Sequence, residues 1–198
     1  MKPRSTGRDQ VRSECWTHAI YCFGTSFVFE KRVRRLRNRV QLLAFLGLAS
    51  PISVGTAVLL HGLHSAVAKV LAPIAALASM VQVIASLYAL VRGWSDHLVY
   101  ALESTSGNRE LYEEFRRLGA FPPDEDQELQ RRFDVLLARD AARTKQDDKY
   151  PLTDEEKRIG MRAGLRQVGR KCAGCNLVPT SMTASECGVC GNFKIRRI

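Results

Sequence analysis

Apolar residues in this chain are segregated rather than mixed. From Val40 to Ala68, and again from Val70 to Val91, there is no Lys, Arg, Asp or Glu. The first run, "VQLLAFLGLASPISVGTAVLL" (Val40–Leu60), holds about 21 residues; as a helix it reaches roughly 30 Å, one hydrocarbon core. The second, "VLAPIAALASMVQVIASLYALV" (Val70–Val91), has the same reach. The connection "HGLHSAVAK" is short, which predicts two antiparallel neighbouring helices. Elsewhere the apolar period is helical but interrupted by charge. "RDQVRSECWTHAIYCFGTSFVFEKRVRRLR" reads as a long amphipathic helix feeding the first run, with Cys15, His18 and Cys22 on one packing face. After the second run, "WSDHLVYALESTSGNRELYEEFRRLG" continues helically, with a break expected near Ser106 and Gly107. "FPPDEDQ" is an interruption with Asp124 as a candidate cap, after which Leu129, Phe133, Leu136 and Leu137 give another apolar face. "KQDDKYP" reads as a polar linker, and Thr153 to Glu156 ("TDEE") has the form of a capping box opening a last helix.

The pattern predicts an all-α membrane protein: a two-transmembrane helical hairpin with long cytoplasmic helices and a small C-terminal zinc-knuckle or ribbon module. The expected divisions are a basic N-terminal helix (1–39), the hairpin (40–91, spans 40–60 and 70–91), a cytoplasmic helical region (92–149), and a basic helix with a metal-binding tail (150–198). Little apolar sequence is left for a large water-soluble core, so the tail needs a metal to hold it together.

Charge fixes the expected direction. The formal charge is +10, with ten cations against three acids in residues 1–39 and nine against one in residues 157–198, while residues 103–156 are acidic. "KRVRRLRNR" stands immediately before the first run and the connection offers only Lys69, so the positive-inside rule puts both termini in the cytoplasm. Within the runs, Gly47, Pro51 and Gly55 recur every four residues, as do Ala75 and Ser79, then Ala85 and Ala89. Such positions let helix backbones approach closely in lipid. Gln82, a polar amide in mid-run, needs a packing partner or a water path. One hairpin cannot enclose a pore, so a channel requires a homo-oligomeric ring such as a tetramer.

The tail carries the candidate chemistry. Cys172, Cys175, Cys187 and Cys190 form two Cys-x2-Cys pairs eleven residues apart, a spacing that suits tetrahedral zinc. All four positions are filled by protein, which makes the site structural rather than catalytic, with binding energy that folds the tail. Arg158, Arg162, Arg166 and Arg170 are each four apart and read as one helical stripe. Like charges at that spacing repel, so the stripe needs anionic partners. Those partners are either the chain's own acidic segment or a phosphate-bearing ligand, with Lys171, Lys194, Arg196 and Arg197 adding cations nearby. There is no Gly-rich phosphate loop and no nucleophile–base pair, and His61 and His64 fall in the connection, so the reading is non-enzymatic.

At this point a resemblance becomes specific. "FEKRVRRLRNRVQLLAFLGLASPISVGTAVL", the second run and "GWSDHLVYALESTSGNRELYEEFRRLG" resemble the SLATT domain of bacterial conflict systems. "EKRIGMRAGLRQVGRKCAGC", "PTSM" and "CGVCGNF" are similar to the tail of the mobile-element proteins named for a CxxCx(11)CxxC pattern. The resemblance implies a two-span effector of antiphage defence in the bacterial inner membrane. Such effectors are described as pore-forming and as encoded beside nucleotidyltransferases; the basic tail adds the expectation that a nucleotide or single-stranded oligonucleotide made by such a neighbour is the ligand. A membrane-tethered nucleic-acid or protein adaptor without a pore is the alternative, and a mobile-element transfer or exclusion factor a third.

Overall fold

A computed structural model describes residues 7–61 and 66–194; side chains at 50, 54, 57, 58, 61, 66–69, 71 and 72 are outside that description. Five helices follow one another: α1 (Gly7–His61), α2 (Ala66–Val91), α3 (Trp94–Ala120), α4 (Asp126–Asp147) and α5 (Asp154–Val168). No strand occurs among the described residues. The chain divides into two units, one built from residues 1–31 and 101–198, the other from 32–100.

The larger unit is a helical bundle made by the start of α1, most of α3, and α4 and α5. The predicted packing faces meet in its core: Cys15, Ala19, Cys22 and Phe23 of α1 lie with Leu111, Tyr112, Phe115 and Leu118 of α3 and with Leu129, Phe133 and Leu136 of α4. Phe115, with no exposed surface, is stacked on His18 at 5.0 Å and edge-on to Phe133 at 6.3 Å. Two local expectations are corrected. α3 runs unbroken through Ser106 and Gly107, because Ser104 and Asn108 bury their polar groups on Asp147 and each other, at 2.8–3.2 Å, instead of competing with the helix backbone. α4 is capped by Glu125 without a side-chain bond, not by Asp124; Arg8 instead draws on the carbonyls of Pro123 and Asp124 and on the Asp126 carboxylate.

α5 begins as expected. The Thr153 hydroxyl accepts from Glu156 N at 3.2 Å, and the Glu156 carboxylate accepts from Thr153 N at 3.0 Å. It ends at Gly169, whose φ of 71° closes the helix in the left-handed conformation that glycine adopts at little cost. Against α1, α5 packs backbone to backbone. A Cβ on Gly160 would come 2.9 Å from Gly24 O, and one on Gly164 would overlap Ile20 O. These glycines let the last helix sit directly on the first.

The smaller unit has a different surface. One helical segment among the described residues, Pro73–Val91, is long and apolar enough to cross a membrane, with mean hydropathy 2.1 and none of its window buried. Among the described side chains beyond Val33, the partly buried positions on α1 are Leu36, Val40, Leu43 and Gly47, with Ala49 beside the last, and on α2 they are Ala75, Gln82, Ala85 and Ala89. The steps of three and four match the seam of two helices crossing at a small angle. Gln82 fills the notch at Gly47, where a Cβ would come within 2.7 Å of the amide. Oriented to satisfy both groups, the amide donates to Leu46 O at 3.1 Å and accepts from Gly47 N at 2.5 Å. Within one chain, then, Gln82 makes a packing bond. Pro51 and Ser79 are exposed, and nothing lies within 4 Å of where a Gly55 side chain would start.

Candidate metal centre

The two Cys-x2-Cys pairs sit on opposed tight turns. Asn176 N donates to Cys172 O at 2.8 Å with Asn176 at φ 56°, and Cys172 N donates to Leu177 O at 2.9 Å. In the second turn Gly191 N and Asn192 N both donate to Cys187 O at 2.9 Å. These bonds turn all four sulfurs toward one point. The four Sγ atoms lie within 4.8 Å of one another, with Cys172–Cys187 and Cys175–Cys190 both at 3.9 Å. A tetrahedral thiolate site with bonds of about 2.3 Å has sulfur–sulfur edges of about 3.8 Å. The cluster therefore fits a metal, and the separations are far too long for disulfides, whose bond is about 2.05 Å. The cysteines are free.

Ligation needs thiolates. The backbone N–H groups of Cys190 and Val189 pull the Cys187 thiol down to about 6, whereas burial pushes Cys190 up. Gly174 N donates to Cys172 Sγ at 3.4 Å, a backbone bond that orients this sulfur. Cys172 and Cys190 are nearly inaccessible and pack with Ile20 and Leu165, so the cluster is the anchor that fastens the tail to α1.

The family model of the mobilome CxxCx(11)CxxC proteins matches residues 12–193. The chain belongs to that family. No curated protein and no solved structure matches it. The match covers all five helices in whole or part and all four cysteines of the mobilome CxxCx(11)CxxC pattern.

The expected arginine stripe comes apart. Arg158 Nε donates to Gly188 O at 3.0 Å and its Nη1 to Asn192 O at 3.1 Å. Arg162 donates to Ser181 O at 2.7 Å and Cys190 O at 3.3 Å, with Nη1 4.0 Å from Cys190 Sγ. Both guanidiniums thus satisfy carbonyls of the clip, and Arg162 brings positive charge toward the Cys190 sulfur. Neither the acidic segment nor a ligand is needed to explain them. Arg170 leaves the stripe altogether: α5 stops at Val168, and the Arg170 guanidinium lies over the Trp16 ring at 5.6 Å. Partial burial there pushes it below its usual value. Arg166 and Lys171 are exposed, with no hydrogen bond or ion pair among the described residues. Lys194 N donates to the Glu155 carboxylate at 2.6 Å; Arg196 and Arg197 lie outside the described residues.

One polar cluster had no local signal in the sequence. His18 Nδ1 is 2.7 Å from Asp140 Oδ2, and Cys22 Sγ points at the other oxygen from 3.5 Å, across more than a hundred residues of chain. Burial, with Asp140 adding to it, pushes the Cys22 thiol up, and burial raises Cys15 to about 11. Both stay protonated and unreactive, which suits the packing role read from their helical spacing.

Proposed function

We propose that this chain is a SLATT-type effector of the bacterial inner membrane, not an enzyme, with both termini in the cytoplasm. Residues 40–60 and 70–91 form its two-span hairpin, copies of the chain assemble as a ring, and the ring conducts ions. Zinc, held by Cys172, Cys175, Cys187 and Cys190, fastens the cytoplasmic tail. An anionic ligand of the nucleotide or short oligonucleotide class engages the cations left over by the clip and sets conductance. Opening in an infected cell depolarises it and arrests growth.

The observation that carries this reading is the smaller unit's surface. Leu42, Phe45, Ile52, Ile74, Val83, Leu87 and Leu90 are each more than half exposed, on a helix pair whose described side chains are partly buried along one narrow seam. In water such a surface aggregates; in lipid it is solvated. A seam that includes a glycine, three alanines and one amide is in keeping with how lipid-embedded helices associate. On the ligand side, Arg166 and Lys171 take the place of the four-arginine stripe, because Arg158 and Arg162 already have partners.

The test is ion efflux from liposomes holding the purified full chain, together with membrane potential in cells expressing it with and without its neighbouring gene. Efflux and depolarisation that depend on the neighbour support a gated pore. Neither signal, even during phage infection, returns the chain to the class of tethered adaptor.

A further inference from the structure

A strongly cationic cavity of the larger unit lies away from the clip. It lies between the end of α3 and α4, has a volume of about 590 Å³, and is lined by five arginines against one carboxylate. Pockets for small ligands fall in this size range. Its walls and floor differ in kind. Leu118 and Leu136 form the apolar base, and Val135 and Phe121 continue it outward. The Phe121 ring is 79% exposed, held at the rim by a helical Phe121 N to Arg117 O bond of 2.8 Å and by the two prolines that follow.

The arginines are pre-positioned but weakly committed. Arg131 and Arg132 share the single carboxylate of Glu128, at 2.7 and 2.6 Å. Arg116 is held by Glu113 at 2.8 Å, and Arg139 by Glu110 and Glu114. Arg117 has no side-chain partner among the described residues. Exposed ion pairs of this sort exchange readily for stronger ones. A polyphosphate offers several charged acceptors at once, and guanidinium forks match them two bonds at a time. An aromatic ring standing free beside the cations provides a stacking face for a base.

We infer that the α3–α4 groove is a mononucleotide site, with Arg117, Arg131 and Arg132 on the phosphates and Phe121 against the base. Glu110, Glu113, Glu114 and Glu128 hold four of the five guanidiniums in place, and Arg117 carries the positive charge left uncompensated. The groove is separate from Arg166 and Lys171, and the inference does not depend on pore formation.

The experiment is equilibrium binding to the full chain in detergent at about 0.15 M salt, where non-specific attraction is screened. The probes are a ribonucleoside triphosphate, inorganic triphosphate and the bare nucleoside. The expected result is saturable binding of the nucleotide, weaker binding of inorganic triphosphate and none of the nucleoside. Arg117→Ala and Arg132→Ala should each weaken both phosphate probes at least about fivefold. Phe121→Ala should weaken the nucleotide about tenfold and leave inorganic triphosphate unchanged. All three side chains are exposed, so melting temperature should not move. Absence of saturable nucleotide binding overturns the assignment. So does binding that survives the groove variants and is lost with Arg166→Ala and Lys171→Ala, an outcome that would favour the tail instead.

Discussion

Two helix contacts in this protein use glycine for the same purpose with different consequences. Where α5 crosses α1, Gly160 and Gly164 bring backbone against backbone at Gly24 and Ile20. Where α2 meets the later part of α1, Gly47 opens a notch that a side-chain amide fills. The first contact is rigid on both sides and is locked further by the clip, whose cysteines pack with Ile20 and Leu165. The second has a flexible Gln82 on one side and an otherwise exposed apolar surface around it. A backbone contact cannot yield to an added methyl, whereas an amide can swing away. The bundle junction is therefore the specific, brittle one, and the hairpin junction the tolerant one.

The largest effect should come from taking away the lock. Stripping the metal with a chelator, or replacing Cys172 with Ser, should lower bound metal from about one ion per chain to none. Hydrogen-exchange protection should then collapse in the clip and α5 while α2 is unaffected. Small zinc modules draw about 10–16 kcal/mol of apparent binding energy into folding, more than the few apolar contacts of this tail can replace. Protection of α5 that survives removal would mean that the glycine contact alone holds it, and the metal would lose its role as anchor.

Next in size is Gly164→Ala. The added Cβ overlaps Ile20 O, and no side-chain rotation relieves it. Overpacking of this kind costs about 2–3 kcal/mol. It should appear as a drop in the local opening free energy of α5 with metal content unchanged. A neutral result would show that α5 can shift along α1, and the bundle junction would then be no more brittle than the other.

The sequence made some of this legible and hid the rest for physical reasons. Periodicity revealed the core faces of α1 and α4, because burial repeats every turn; Cys15, Cys22, Leu129, Phe133 and Leu136 are all inside. The capping box at Thr153 and Glu156 and the cysteine quartet were readable because their partners are close in sequence. The glycine junction was not: Gly160 and Gly164 look like poor helix formers until the partner strip on α1 is known, and that strip is more than a hundred residues away. The partners of the arginines were hidden for a related reason. Spacing places Arg158, Arg162 and Arg166 on α5, but it cannot foresee that the clip folds back and offers carbonyls to the first two. Nor does spacing show that Gly169 ends the helix before Arg170.

Arg162→Ala sharpens the clip's side of the comparison. Its guanidinium ties α5 to Ser181 O and Cys190 O, and hydrogen bonds from a charged donor contribute about 1.5–3 kcal/mol where they are well sheltered. Here the side chain is only partly sheltered, so a loss of about 1–2 kcal/mol in clip protection is expected. If Arg162→Lys restores protection fully, the contribution is charge near the sulfurs rather than the forked bond to two carbonyls.

The smallest effect should be at the hairpin. Gly47→Ala meets only the Gln82 amide, and Gln82→Leu removes one polar bond from a setting where such bonds average about 0.6 kcal/mol. Each single change should cost under about 1 kcal/mol. The double-mutant cycle is the informative part. Once Gln82 is Leu, the notch at Gly47 has no amide to fill it, so the alanine should be tolerated better than in the parent chain. A coupling energy of that sign makes the amide and the notch one device. Additive costs would mean that Gln82 bonds elsewhere along the seam, and that the close approach at Gly47 is set by the surrounding alanines alone.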